Sequence, residues 1–294
     1  MCSFIIILLQ IYKNLPIFVF LLQKIFLQIF TEFLILLHTS SLCIGYPAAS
    51  YAKKTPKILL ENLNISLKSG ILVCLIGQNG AGKSSLMRTL AGLQKPLEGD
   101  IFINDISLKN LSEIELALKI SVVLSEKIDN QAITVQELVD LGRYPHTTWL
   151  SELSENDKNI IKNALTLTKT TEIATQTLSQ LSDGQKQRVS LARALAQDTP
   201  FVLLDEPTAH LDLPSRLQLF KMLRNLTITT NKTFLISTHE LDLALQVADV
   251  VWLIDNHKNL HIKTPLEITQ SGILEETFAV EGLFFNKQTG RWEF

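Results

Sequence analysis

The sequence predicts an α/β protein with an inserted helical subdomain, and three observations support that prediction. The apolar runs Ile71–Ile76, Phe201–Leu204 and Thr233–Ser237 have the length and composition of buried strands. Each run precedes a segment with helical periodicity, an order typical of a sheet covered by helices. Between about residues 106 and 195 the chain is polar and helix-like. We therefore expect an α/β core interrupted by a helical subdomain at 106–195.

Within that subdomain, helix-like patterns cover Ser112–Leu124, Thr134–Leu141 and Asn156–Thr168. After Asp255, the segment Asn256-His257-Lys258-Asn259 predicts a turn. The tail that follows is short, so we expect no second domain of useful size beyond it.

Composition and charge exclude several classes of protein. The 294 residues include 27 Lys and Arg against 29 Asp and Glu, a net charge of −2. This balance provides no basic field for nucleic acid, so we expect no nucleic-acid partner. The three cysteines, Cys2, Cys43 and Cys74, form no CxxC pair. They support neither a zinc cage nor a disulfide framework, and the default environment is a reduced cytosol.

Residues 1–35 form a hydrophobic N-terminal extension rich in Phe, Ile and Leu. Its longest unbroken apolar run, Leu15–Leu22, is shorter than the ~20 residues of a membrane-spanning helix. A helical wheel gathers most of its polar residues on one face, which permits a membrane-surface helix, although Pro16 would kink it. The composition is also what AT-rich DNA encodes. We favour a non-native extension, translated from a start codon upstream of the true one. A membrane-surface helix is the alternative.

A glycine-rich loop follows the first predicted strand and matches the pattern G-x-x-x-x-G-K-[ST]. Its backbone N–H groups would converge on the β-phosphate of a nucleotide, next to the N-terminus of a helix that begins near Lys83. Lys83 would reach the β- and γ-phosphates, and Ser84 would bind Mg²⁺. The strand before the loop and the helix after it predict a P-loop NTPase core. The candidate nucleotide-binding residues here are Gly77, Gln78, Asn79, Gly80, Ala81, Gly82, Lys83, Ser84 and Ser85.

Two consecutive carboxylates end the second predicted strand. A strand buried on both faces would deliver Asp205 to the metal at its C-terminal end. Asp205 suits a water-mediated contact, because Mg²⁺ keeps several waters. Glu206 would lie beyond the metal, as general base or as the residue that positions the attacking water. The pair is a weak signal alone and becomes strong with the phosphate loop upstream.

Three further segments resemble the motifs of ABC-transporter ATPases. Leu181-Ser182-Asp183-Gly184-Gln185 resembles the family signature, usually Leu-Ser-Gly-Gly-Gln. Pro207-Thr208-Ala209-His210-Leu211-Asp212 resembles the D-loop, and Ser237-Thr238-His239-Glu240 resembles the switch-histidine segment. The motifs follow the family order. The resemblance runs from Leu42 to about Phe294 and implies an ABC ATPase domain over residues 36–294.

This resemblance implies a mechanism in which two subunits enclose each ATP. The phosphate loop of one subunit would face Ser182, Asp183, Gly184 and Gln185 of the other, so a homodimer, or one copy with a homologue, is expected. His239 would contact the γ-phosphate. Tyr46 is the candidate for stacking on adenine, because Leu42–Tyr46 resembles the segment that bears this residue in the family. Tyr51 is the alternative.

Two positions depart from the family pattern. Glu126 stands where the family usually has the glutamine that joins the core to the helical insert. Its carboxylate could still contact Mg²⁺ or the attacking water, so Glu126 is both a catalytic and a metal-binding candidate. It adds a negative charge beside ATP that Mg²⁺ could offset. Asp183 replaces a glycine of the usual signature and brings a further acid to the opposite phosphate site.

The segments Thr134–Val139 and Gly142–His146 resemble one subfamily, the ATPases of importers for iron–siderophore complexes, haem and vitamin B12. That resemblance implies an integral membrane permease as partner, indirect work with a substrate-binding protein, and a peripheral position on the cytoplasmic face of the membrane. Arg143 and Tyr144 are the expected contacts to a coupling helix of the permease. The alternative is a soluble ABC ATPase not engaged in transport. An exporter half is set aside, because one interrupted apolar segment cannot form a membrane bundle.

Overall fold

The computed structural model describes residues 35–47, 55–125, 132–147, 152–278, 284–286 and 291–293. Its strands, in chain order, are β1 (Ile35–Tyr46), β2 (Lys57–Leu63), β3 (Ser66–Lys68), β4 (Leu72–Gly77), β5 (Glu98–Ile103), β6 (Ile106–Ser107), β7 (Ile120–Val123), β8 (Phe201–Asp205), β9 (Thr233–Ser237), β10 (Val250–Ile254), β11 (Leu260–Lys263), β12 (Phe284–Asn286) and β13 (Arg291–Glu293). Its helices are α1 (Lys83–Leu90), α2 (Glu113–Ala117), α3 (Val135–Asp140), α4 (Glu155–Leu167), α5 (Asp183–Ala196), α6 (Leu213–Thr230), α7 (Leu241–Val247), α8 (Pro265–Gln270) and α9 (Ile273–Phe278).

The central sheet has the strand order β11-β10-β4-β9-β8-β7. Neighbouring strands from β10 to β7 pair in parallel, and β11 joins the edge antiparallel through a hairpin. Strands β4, β8 and β9 are buried along their whole length. The three predicted strands are therefore confirmed within a residue or two, because their continuous apolar runs suit a sheet covered on both faces. The hairpin also confirms the turn predicted at 256–259.

A second, antiparallel sheet has the order β2-β1-β5-β6, with β3 also paired to β1. No sequence pattern predicted this sheet. Its buried residues pack with α1 and one face of the central sheet in a single core. The sheet begins at Ile35, the last residue assigned to the N-terminal extension, and the residues before it lie outside the described part of the chain.

The region 106–195 differs from its prediction in two places, and the first is β6 (Ile106–Ser107), a strand of the antiparallel sheet. The helix expected over Ser112–Leu124 covers only α2, and Ile120–Val123 is strand β7. A capping box between Ser112 and Glu115 starts the helix. The run that follows is rich in β-branched residues and pairs in parallel with β8, so burial in the sheet overrides the helical pattern. The central sheet therefore extends into the region 106–195 that was expected to be helical.

The other two helices predicted in this subdomain correspond to α3 and α4. Both pack on α5, and their apolar side chains share one core with the other face of the central sheet. Across the described ranges, no helix has both the length and the apolar composition that crossing a membrane requires.

Candidate nucleotide-binding site

The glycine-rich loop links the C-terminal end of β4 to α1, as the sequence predicted. Gly80 and Gly82 have φ values of 77° and 109°, a region that other residues rarely adopt. A Cβ placed on Gly80 would meet no described atom within 4 Å, so the space over the loop is open. Helix α1 begins at Lys83 without a side-chain cap from the described residues. Its first N–H groups are thus available to an anion, and the loop fits the phosphates of a nucleotide.

Lys83 is folded back onto this loop and is only 5% exposed. Its Nζ donates to the carbonyl oxygens of Gly77 at 2.9 Å and Gln78 at 3.1 Å. An ammonium group has three N–H donors, so one remains for a phosphate. Burial lowers the pKa of Lys83, against the opposing pull of Glu206 and Asp205.

Two of the three predicted metal ligands, Ser84 and Asp205, lie together. Ser84 Oγ donates to Asp205 Oδ1 at 3.1 Å, across the gap between α1 and β8. Asp205 is 2% exposed, and its Oδ1 also accepts a hydrogen bond from Ser237 Oγ at 2.6 Å. A hydroxyl and a carboxylate are hard oxygen ligands of the kind that Mg²⁺ prefers, so these residues fit that cation.

Ser237 belongs to the site, although no role of its own was predicted for it from the sequence. It ends β9, directly opposite Asp205 in the parallel register of β8 and β9. Its hydroxyl accepts the backbone N–H of Glu206 at 2.8 Å while donating to Asp205. The available signal was the polar residue at the end of an otherwise apolar strand. Because parallel strands end at one edge of a sheet, that residue had to lie beside the carboxylates.

Glu206 and His239 form a direct pair. His239 Nε2 lies 2.8 Å from Glu206 Oε1, and both side chains are partly exposed. Glu206 has a φ of 48°, a left-handed conformation that is uncommon for a residue with a side chain. Such strained positions concentrate at functional sites. The structure brings together the two residues that the sequence proposed as base and γ-phosphate contact.

Tyr46 lies at the mouth of the site, at the end of β1. Its side chain is half exposed, and its hydroxyl lies 3.2 Å from Ser85 Oγ at the start of α1. Ser85 is buried, so its hydroxyl holds Tyr46 near the phosphate loop instead of facing the open loop itself. Tyr51 and Glu126 lie outside the described residues, and their predicted roles stay predictions.

The side chain of Gln78 points away from the predicted ligand. Its Nε2 donates to the backbone oxygen of Thr277 in α9 at 2.6 Å. Gln78 therefore connects the phosphate loop to the C-terminal helices, and only its backbone faces the loop. The Ala81 N–H is not available to a phosphate, because it donates to the Gln78 carbonyl within the turn.

The signature segment begins helix α5. Ser182 caps the helix, and its reciprocal partner is Gln185: the Ser182 N–H donates to Gln185 Oε1 at 2.9 Å. Gly184 packs against Ser215 of α6, where a Cβ would lie 3.1 Å from the Ser215 hydroxyl. Asp183 is an exposed acid in the first turn. In the described part of the chain, no hydrogen bond or ion pair joins residues 182–185 to residues 77–85.

The structure corrects the surface role expected for Arg143. Its side chain is 3% exposed, and its Nε donates to Asp157 Oδ1 at 2.8 Å. A buried ion pair of this kind cannot contact a partner directly. Tyr144, the next residue, is 69% exposed and remains available as a contact. Both lie in a 3₁₀ helix, Leu141–His146, whose tight turn points successive side chains in different directions.

Together, the glycine-rich loop, the buried Asp205 and the Glu206–His239 pair at the strand ends of an α/β sheet define a nucleotide-hydrolysing protein of the P-loop class. A model of the ABC transporter family matches residues 60–209. The chain belongs to this family, as one of the ATP-binding proteins that hydrolyse ATP.

Relatives and a solved structure agree with that family. The chain is 37% identical to the achromobactin transport ATP-binding protein of Dickeya dadantii, over 79% of this chain and 85% of the relative. It is 33% identical to the iron(3+)-hydroxamate import ATP-binding protein of Bacillus subtilis, over 83% and 88%. An inward-facing ABC transporter assigned to the metal-chelate type superposes with a TM-score of 0.70 at 26% identity, over 87% of this chain and 94% of that one.

Proposed function

We propose that this protein is the ATP-hydrolysing subunit of an importer that takes up an iron–siderophore-type chelate through a separate permease. The names of the relatives support the cargo class, since both are transport ATP-binding proteins and one imports an iron(3+) hydroxamate. The observation on this chain that supports it best is an exposed apolar surface suited to a membrane partner.

We call this surface the docking patch and define it by five exposed residues: Leu93, Ile114, Leu118, Leu141 and Tyr144. The segments that bear them lie side by side. A Cβ on Gly92 would come within 2.6 Å of the Leu116 side chain, and α2 contacts the 3₁₀ helix Leu141–His146. Apolar side chains exposed together on contiguous segments are typical of a protein interface. A permease helix with a complementary apolar face suits this patch.

The site residues have defined roles in the proposed reaction. Lys83 and the N–H groups at the start of α1 bind the phosphates. Ser84 and Asp205 hold Mg²⁺, which when bound offsets the negative charge of the triphosphate. Ser237 fixes Asp205, Glu206 receives the proton of the attacking water, and His239, paired with Glu206, contacts the γ-phosphate. Tyr46 offers the adenine an aromatic face.

A second copy of the chain completes the site. No described hydrogen bond or ion pair joins the signature residues to the phosphate loop of their own chain. In the proposed complex they serve the nucleotide of a partner across a twofold axis: Ser182, Asp183, Gly184 and Gln185. The complex is then a homodimer of ATPase subunits, peripheral on the cytoplasmic face of the membrane and docked on the permease. A substrate-binding protein delivers the chelate from the other side. Glu126 is proposed to contact Mg²⁺ or the attacking water.

Uptake measurements test this function directly. Cells lacking the gene are supplied with ⁵⁵Fe bound to a hydroxamate siderophore, a catecholate siderophore or haem, and with labelled vitamin B12. We expect these cells to lose uptake of one iron chelate. Wild-type protein should restore that uptake, and the Glu206→Gln variant should not. Unchanged uptake of every compound would contradict the importer assignment. Loss of vitamin B12 uptake alone would contradict the cargo class.

A further inference from the structure

The last turn of α5 is hydrogen-bonded to the segment that includes α2 and β7. Arg193 Nη2 donates to the Val122 carbonyl at 3.0 Å, and burial lowers the pKa of Arg193. Gln197 Nε2 donates to the carbonyls of Ala117 at 2.6 Å and Ile120 at 3.0 Å. The end of the helix is thus fixed to the turn that bears Leu118 of the docking patch.

The same turn of α5 is held from its other side by the 3₁₀ helix Leu141–His146. Arg143 Nη1 donates to the Ala196 carbonyl at 2.8 Å. His146 Nε2 lies 2.8 Å from the Gln197 carbonyl. A Cβ on Gly142 would come within 2.5 Å of the Arg193 carbonyl, so the two backbones touch and only glycine fits. This segment bears Leu141 and Tyr144 of the docking patch.

Arg143 connects a third element as well. Its partner Asp157 is 7% exposed and uses its other oxygen to accept from the Ser154 N–H and hydroxyl, which caps α4. The Ser154 hydroxyl and the Arg143 guanidinium together lower the pKa of Asp157. One buried guanidinium therefore links the 3₁₀ helix, α4 and α5. Removing it would leave a buried carboxylate and a buried carbonyl without this partner.

The other end of α5 is the signature segment. Ser182 caps the helix and Gln185 lies in its first turn. Helix α5 has 14 residues and spans about 20 Å as a rigid, internally hydrogen-bonded rod. A displacement of its last turn is therefore transmitted to its first.

We propose that Arg143 is a positioning residue that couples the docking patch to the signature segment through α5. Movement of a docked permease helix shifts the α2–β7 turn and the 3₁₀ helix together, and their bonds to the last turn of α5 carry Ser182 and Gln185 with it. The inference rests on the proposed function and adds to it the internal path of the signal. Tyr144 contacts the permease helix, and the buried Arg143 transmits the movement of that helix to α5.

Add-back to native membranes tests this coupling. Membrane vesicles from the source cells are washed with urea to remove peripheral subunits, and purified full-length protein is added. ATP hydrolysis is measured with and without vesicles, and binding is measured by co-sedimentation. Arg143→Met is compared with Arg224→Met, which breaks a more exposed Arg–Asp pair: Arg224 of α6 donates from Nη1 to Asp249 Oδ2 at 2.7 Å. His146→Ala is a milder second variant, which removes one contact to α5 and leaves the ion pair intact.

We expect Arg143→Met to keep its basal hydrolysis and its vesicle binding, and to lose vesicle stimulation by at least about fivefold. His146→Ala should lose part of the stimulation, and Arg224→Met should keep it. Normal stimulation of both Arg143→Met and His146→Ala would overturn the coupling role alone. So would an equal loss of basal and stimulated rates in a folded Arg143→Met, because that marks a structural role. A wild-type protein that vesicles neither bind nor stimulate would contradict the proposed function itself.

Discussion

Ser237 and Asp205 form a short hydrogen bond of 2.6 Å between the ends of two adjacent parallel strands. The same hydroxyl accepts the Glu206 N–H, so one serine fixes the metal-binding carboxylate and the backbone of the proposed base. Ser237 is fully buried, which makes this arrangement part of the folded sheet. The register of the two strands therefore sets where Asp205 and the backbone of Glu206 lie.

Replacing Ser237 with alanine should lower kcat and raise the Mg²⁺ concentration needed for half-maximal rate. The Glu206 N–H loses its buried acceptor and Asp205 loses a donor, at a cost of about 1–3 kcal/mol, or about 5- to 150-fold in rate. Steady-state hydrolysis at varied Mg²⁺ measures both effects. Ser121→Ala is the matched control, because Ser121 is an equally buried strand serine bonded to Thr199. Equal behaviour of the two variants would refute the role of Ser237.

Glu206→Gln should keep ATP binding, accumulate an ATP-bound dimer and lower hydrolysis by about 10²- to 10⁴-fold. The amide retains an oxygen that can accept from His239, so the loss isolates proton acceptance. Size-exclusion chromatography with ATP and a phosphate-release assay check the two outcomes. Glu240→Gln serves as control, since Glu240 pairs with Arg216 beside the site. Near-normal turnover in Glu206→Gln would rule out Glu206 as the base.

Lys83→Ala should weaken ATP binding by about 10- to 150-fold, the equivalent of a charged hydrogen bond of about 1.5–3 kcal/mol. The ammonium is already desolvated and aimed into the loop, so little reorganisation opposes its contact with phosphate. Titration calorimetry with ATP measures the affinity. Lys232→Ala is the control. Lys232 is also hydrogen-bonded and partly buried, but it forms an ion pair with Asp198. Unchanged ATP affinity in Lys83→Ala would exclude the assigned role.

Asp255, in the hairpin between β10 and β11, makes the free energy of unfolding depend on pH. Burial alone would raise its pKa, but hydrogen bonds from His261, Asn259 and the backbone hold the pKa of Asp255 at about 2, below its ordinary 3.8. Since the folded pKa is depressed, the stabilisation is present above about pH 4 and is lost as pH falls toward 2. Asp255→Asn should cost about 1–2 kcal/mol at pH 7.

Urea unfolding of wild type and Asp255→Asn at pH 7, 5 and 3.5 checks the sign. We expect the difference in unfolding free energy to hold between pH 7 and 5 and to narrow at 3.5. A difference that stays constant, or widens in acid, would show that the Asp255 charge is not the cause.

Features encoded by consecutive residues could be predicted from the sequence. The phosphate loop, the strand that ends at Asp205, and helices α3 and α4 all depend on backbone conformation and local spacing. Helix α2 shows where this approach fails. Its capping box was readable, but the residues after it form β7, because pairing with β8 depends on a strand about 80 positions further along the chain.

The sequence by itself determined the class of protein: an α/β ATPase with a phosphate loop, paired carboxylates and a signature segment, each defined by residues adjacent in the chain. Only the tertiary structure decided that Ser237 supports Asp205, and that Arg143 is internal while Tyr144 is exposed. The physical reason is that these relationships arise from strand register and burial. Both depend on residues distant in sequence, whose contacts no local pattern contains.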